Sequence, residues 1–267
     1  MSNRSRMAHV LALAITALAV LLLPGTPAQA AGAPYVALGD SYSSGVGTRS
    51  YIADSGACQR STLAYPYLVA QQKGYALNFQ ACSGAKTADV TSKQLGALTT
   101  STRYVTISVG GNDAGFSSVI TECAQPDLTS NCNSAIDGAQ GIINNTLPGR
   151  LSTLYASIKS KAPNAKVVVV GYPRIFNGTD CNAATFFAAS EMTRLNAMAD
   201  LVNTKLSAAA SAKGFTFANP TSRFVGHAVC DSPEWLNGLS NPISDSYHPN
   251  KAGHASGYLP LVAGLLV

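Results

Sequence analysis

Basic clusters, paired C-x-x-C cysteines and any long apolar run after residue 30 are missing from this 267-residue chain. Without a cluster of Lys or Arg there is no electrostatic footprint for nucleic acid, which is excluded as a partner. Without C-x-x-C, and with only His227, His248 and His254 beyond residue 30, a zinc site lacks its ligand spacing. No Gly-x-Ser-x-Gly occurs, which removes the nucleophile-elbow hydrolases. No histidine stands between residue 30 and Ser41, so the chain order of trypsin-like proteases fails as well. Internal repeats and linkers are also absent, and nothing calls for a second domain.

The first thirty residues carry an export signature. Arg4, Arg6 and His9 give a basic start, and Val10 to Leu23 is an apolar run broken only by Thr16. Pro24, Gly25 and Pro27 then lead into Ala28-Gln29-Ala30, a small-x-small cleavage pattern. The run falls short of the ~20 residues a helix needs to cross a bilayer, so residues 1–30 read as a signal peptide rather than an anchor. Residues 31–267 are expected to be a single secreted α/β domain. Removing Arg4 and Arg6 takes the formal net charge from +5 to +3, a mild surplus that tolerates contact with a lipid interface. Six cysteines lie in the mature part, and an even number in an exported chain reads as disulfides. Sequence alone does not choose the pairing; sequential bridges, Cys58–Cys82, Cys123–Cys132 and Cys181–Cys230, are the working assignment.

Short apolar runs alternate with longer helical patterns. Strands are expected at Tyr35–Leu38, Leu77–Ala81, Val105–Val109, Lys166–Val170 and, more weakly, Phe215–Ala218. Helical spacing covers Ser134–Lys161, with Pro148 kinking or dividing it, then Phe186–Lys213, then Lys251–Leu266 interrupted by Pro260. Stretches 54–65, 121–133 and 219–249 read as loops. Strands alternating with helices imply a parallel sheet covered on both faces, with ligands outside the carboxyl ends of its strands.

The residues that can do chemistry sit at those ends. Ser41, in Gly39-Asp40-Ser41, follows the first strand, but a serine hydroxyl needs a base. His248, in Asp245-Ser246-Tyr247-His248-Pro249, is the best candidate. Asp245 three residues earlier can hold Nδ1 and leave Nε2 for the serine, and the Ser246 main-chain carbonyl is the alternative orienter. His254 falls inside a predicted helix, where a packing or surface role fits. His227 has no acid close in sequence. After the third strand, Gly110-Gly111-Asn112-Asp113 lets the backbone approach a ligand. There the Asn112 amide can donate to a developing oxyanion, as can the backbone of Gly84 in Cys82-Ser83-Gly84-Ala85.

These four places, in this order, resemble the blocks of the SGNH (GDSL) hydrolase family. Gly39–Ser43 matches the first block, Gly84 the second, Gly110–Asp113 the third and Asp245–Pro249 the last. Together they span nearly the whole mature chain. Within the family the chain most resembles the secreted actinomycete lipases and phospholipases A1. The resemblance implies a three-layer α/β/α, flavodoxin-like fold with a five-stranded parallel sheet. It also implies Ser41 as nucleophile, His248 as base, and Ser41 N–H, Gly84 N–H and Asn112 as oxyanion donors.

The expected reaction is hydrolysis of lipid acyl esters through an acyl-enzyme, by a monomer needing no metal or cofactor. A short-chain or carbohydrate acetyl esterase with the same site is the alternative. Pocket walls are expected from the loops around 54–60, 121–133 and 176–187. Phe176, Phe186, Phe187 and Trp235 either line an acyl groove or merely pack.

Overall fold

Runs such as Lys166-Val-Val-Val-Val170 carry no alternation of apolar and polar residues, which suits strands buried on both faces. The computed structural model describes residues 32–267, and the expected signal peptide lies outside the described residues. Five strands form one sheet: β1 (Pro34–Gly39), β2 (Ala76–Phe79), β3 (Tyr104–Ser108), β4 (Lys166–Val170) and β5 (Thr216–Ala218). Their order is β2-β1-β3-β4-β5 and every pairing is parallel. The inner strands β1, β3 and β4 are buried beyond their first residues, whereas β2, at the edge, is only half covered. Register places Gly39 beside Ser108, so the carboxyl ends of β1 and β3 finish level.

Among the described residues eight α-helices surround the sheet: α1 (Ser41–Ser44), α2 (Tyr65–Lys73), α3 (Thr87–Asp89), α4 (Phe116–Cys123), α5 (Cys132–Asn145), α6 (Leu147–Lys161), α7 (Ala189–Ser211) and α8 (Leu259–Leu265). One layer contains α5, α6 and α7 packed against one another, with α4 against α5. The other contains α2 and α8, and both α7 and α8 reach β4 and β5. Residues 32–267 form one contact-dense unit, and none of its helices is long and apolar enough to cross a membrane.

All five expected strands form, shifted by one or two residues at most of their ends. The expected helix 134–161 is two helices, because Pro148 sits in the first turn of α6, where its missing N–H breaks no helical bond. The last helix begins as π-helical turns, Gly253–Tyr258, before α8, again with a proline in the first turn. The loop expected at 121–133 is partly helix, since α4 runs to Cys123 and α5 starts at Cys132. Disulfides join Cys58 to Cys82, Cys123 to Cys132 and Cys181 to Cys230. The first ties the loop before α2 to the segment after β2, and the last ties two long loops; such bridges typically contribute about 2–4 kcal/mol.

Candidate active site

The chain leaves β1 at Gly39 with φ +125°, where a Cβ would stand 2.3 Å from the Ser108 carbonyl oxygen. Only glycine fits there. Gln94 holds it from the side: the Gly39 N–H donates to Oε1 at 2.8 Å, and Nε2 donates to the Gly39 carbonyl at 2.9 Å. Asp40 then caps α1 by accepting the Tyr42 N–H at 3.0 Å, a contact typically worth ~1 kcal/mol. Its other oxygen accepts the Tyr172 hydroxyl at 2.5 Å. Burial pushes the Asp40 carboxyl up to about 7, against the lowering effect of those two bonds. Ser41 is thereby the first residue of a one-turn helix at the carboxyl edge of the sheet.

The imidazole of His248 arrives there from the far end of the chain. Its Nε2 lies 2.8 Å from Ser41 Oγ, and its Nδ1 lies 2.9 Å from the Ser246 carbonyl oxygen. Tyr247 between them takes φ +58°, which reverses the chain so that a carbonyl two residues back can face the ring. Its peptide is held by the Tyr42 hydroxyl, which donates to the Tyr247 carbonyl at 2.7 Å, and by Asn237, which accepts the Tyr247 N–H at 2.9 Å. Withdrawal from water lowers the imidazole to about 4, more than the Ser246 carbonyl and the Asp245 charge raise it.

Asp245 does not hold this histidine, which corrects the first expectation. Its carboxylate turns instead to the Tyr51 hydroxyl, and Arg49 stands 3.9 Å from the other oxygen. The physical reason is the loop itself: a three-residue 3₁₀ turn, Ile243–Asp245, buries the carboxylate beneath Tyr51, and the chain reversal presents Ser246 C=O to the ring. Changing Asp245 to Asn is accordingly expected to lower kcat on a soluble ester by less than about tenfold. A carboxylate that orients its histidine costs about 10⁴ on the same change. Steady-state kinetics of the variant decide between them.

Asn112 and Gly84 lie on the turns that follow β3 and β2. Asn112 Nδ2 donates to the Ala85 carbonyl at 3.1 Å, which fixes the amide and leaves its second hydrogen unassigned. Gly84, at φ +76°, lies between Cys82, whose N–H bonds the Gly39 carbonyl, and Ala85. Among the described residues, neither the Ser41 nor the Gly84 N–H donates to a protein acceptor. Asp113 locks the two turns together by accepting from Thr87 N–H at 2.9 Å, Thr87 Oγ1 at 2.7 Å and Arg150 at 3.1 Å.

A cavity of about 370 Å³ opens from Ser41, Asn112 and His248. Its walls are mostly apolar: Phe116 and Ile120 of α4, Ile175 after β4, Val202 of α7, and Leu239 and Ile243 of the histidine loop. Of the expected walls, the 121–133 stretch contributes Thr121 and Ala124, whereas the loops at 54–60 and 176–187 do not line it, and Phe176 and Phe187 pack against Tyr247 instead. Phe186 is half exposed, and Trp235 stacks on His227 at 3.7 Å. His254 is a packing residue, fully buried beside Tyr65 and Tyr258. Sequence reasoning passed over Gln94, Tyr51 and Tyr172. Only Tyr172, directly after Gly171 at the end of β4, had a signal in its position.

Several known proteins are similar to this chain in sequence and fold. The chain is 48% identical over 241 residues to Lipase 1 of Streptomyces coelicolor, covering 89% of this chain and 88% of that one. A phospholipase A1 from Streptomyces albidoflavus superposes with a TM-score of 0.83 at 43% identity, over 88% of this chain and 99% of the other. An extracellular lipase from Streptomyces rimosus superposes at 0.82 and 42% identity, over 88% and 100%. The model of the GDSL-like lipase/acylhydrolase family matches residues 37–256, from inside β1 to beyond His248. The protein therefore belongs to the GDSL-like lipase/acylhydrolase family and is a carboxylic ester hydrolase.

Proposed function

We propose that this hydrolase is exported, cleaves acyl esters of lipids, and does so through an acyl-enzyme on Ser41. The observation that carries the reading is the 2.8 Å contact between Ser41 Oγ and His248 Nε2, groups 207 residues apart in sequence. An imidazole lowered to about 4 is neutral near pH 7 and can accept the serine proton as Oγ attacks the acyl carbonyl. The Ser246 carbonyl holds Nδ1–H and faces the imidazolium that forms. The oxyanion is assigned to the Ser41 and Gly84 N–H groups and the free hydrogen of the Asn112 amide, donors worth about 2.7–4 kcal/mol each when removed singly. His248 then protonates the departing alcohol. Water, activated by the same nitrogen, releases the acid.

Lipid esters are favoured over acetyl esters by the apolar cavity beside Ser41, whose walls suit an acyl chain, and by the names of the similar proteins. Labelling by a fluorophosphonate, mapped to Ser41, tests the site. Rates on p-nitrophenyl acetate against the long-chain ester test the substrate, and equal or faster acetate hydrolysis would return the reading to a short-chain esterase. A phospholipid with different chains at its two positions then separates phospholipase A1 cleavage from general lipase action.

The mouth of the cavity also bears on where the enzyme works. Ile243 is 70% exposed and Leu239 36% exposed, although both line the cavity. This rim is assigned to contact with the lipid surface, since burying an isoleucine side chain contributes about 1.5–3 kcal/mol. Ile243→Ser is expected to slow hydrolysis of phospholipid vesicles about tenfold more than hydrolysis of a soluble butyrate ester. Equal losses on the two substrates count against surface contact.

A further inference from the structure

Tyr172 stands where the turn that carries the nucleophile meets the turn that carries Asn112. Its hydroxyl donates to Asp40 Oδ2 at 2.5 Å and accepts the Gly111 N–H at 3.3 Å. Asp40 directly precedes Ser41, and Gly111 directly precedes Asn112. One oxygen atom therefore joins the neighbours of two groups that have to act on the same carbonyl.

The residue itself is fixed from behind. Asn203 of α7 reads its backbone at both ends, with Oδ1 accepting the Tyr172 N–H at 2.9 Å and Nδ2 donating to its carbonyl at 2.7 Å. Seven residues earlier on the same helix face, Asn196 does the same for Ile175 and Phe176. The segment leaving β4 is thus clamped along its length to a 23-residue helix. The ring is buried and meets Tyr42 edge-on at 5.0 Å, so the hydroxyl cannot swing away without breaking that contact.

We propose that Tyr172 is a positioning residue for ester hydrolysis: its hydroxyl sets the separation between the Ser41 turn and the Asn112 turn, and so the register of the oxyanion donors. The inference rests on the roles given above to Ser41 and Asn112. A hydroxyl that only stabilises the fold would lower thermal stability and leave the chemical step alone. One that sets donor geometry lowers kcat, because misplacement by about 1 Å can cost about a hundredfold.

Tyr172→Phe removes the one oxygen and keeps the ring and the Asn203 clamp. In the mature chain, with p-nitrophenyl butyrate, kcat is expected to fall about ten- to a hundredfold, with KM changed less than about twofold. The same substitution made on top of Asn112→Ala is expected to cost less than about threefold more, since partners acting through one geometry are not additive. An unchanged kcat, a loss confined to KM, or the full loss repeated without Asn112 would each overturn the proposal. Should Tyr172→Phe fail to fold, Asp40→Asn weakens the same bond from its other end. It must then show a smaller loss that again shrinks without Asn112, and a loss independent of Asn112 overturns the proposal equally. A loss for Asn112→Ala with none for Tyr172→Phe sinks the bridge alone; no loss for Asn112→Ala sinks the oxyanion assignment and the bridge with it.

Discussion

Replacing Ser41 by alanine is expected to lower kcat on a soluble ester by about 10⁴–10⁶-fold and to abolish fluorophosphonate labelling. The hydroxyl is the group placed against His248, at 2.8 Å, in the lining of the apolar cavity. Without it no acyl-enzyme forms, and only water attack within the remaining donors is left. The fold should barely respond. Asp40 still caps α1, Gln94 still clamps Gly39, and among the described residues Ser41 Oγ bonds only the histidine. Thermal unfolding of the variant should therefore stay close to that of the parent while activity collapses. The double variant with His248→Ala should be no slower than either single one, because serine and histidine act as a unit. Two losses that multiply would show two independent contributions, and the dyad would not describe this site.

The fold was legible because strand and helix signals here agree with their surroundings. Lys166–Val170 is a strand at its expected bounds, since four consecutive valines suit only a strand buried on both faces. The nucleophile, base and oxyanion candidates were legible for a related reason. In a parallel sheet the segments after the strands converge, so Ser41 after β1, Gly84 after β2 and Asn112 after β3 had to lie near one another. What was not legible depends on side-chain direction. Asp245 has the right spacing for the imidazole, yet spacing does not say that Tyr51, 194 residues away, will claim its carboxylate. Nor does it say that Tyr247 will take φ +58° and offer the Ser246 carbonyl instead. The aromatic residues misled similarly. Phe176 and Phe187 sit in the core around Tyr247, while the cavity beside Ser41 is walled by Phe116 and Ile120 of α4, Val202 of α7, and Leu239 and Ile243 of the histidine loop. Gln94 has no sequence signal at all, because its clamp on Gly39 spans 55 residues from a π-helical turn.

Removing the base is the second large expected effect, and its pH dependence separates it from a structural loss. His248→Ala should lower kcat about 10⁴–10⁶-fold at pH 7, because a serine hydroxyl without an acceptor for its proton is a poor nucleophile. With His248 as the proposed base the neutral imidazole is the active form, so kcat/KM should fall as pH drops through about 4, and any step near 7 belongs to the Asp40 carboxyl beside Ser41 and should vanish in Asp40→Asn. An ordinary histidine would place that fall near 6.5. The low position follows from burial with a carbonyl, rather than a carboxylate, on Nδ1: a full negative charge there would hold the pKa higher. Acid also attacks the fold. His248 and the fully buried His254, lowered to about 3, both bind protons more readily once unfolded. Their contribution to stability is therefore complete above about 6.5 and is lost as pH falls through about 4 and then about 3. The two effects part on return to pH 7: protonation of a folded enzyme reverses at once, whereas unfolding recovers slowly or not at all. A prompt, fully reversible limb near pH 4 reports the His248 base, and one near 6.5 that persists in Asp40→Asn would place a carboxylate back on its ring.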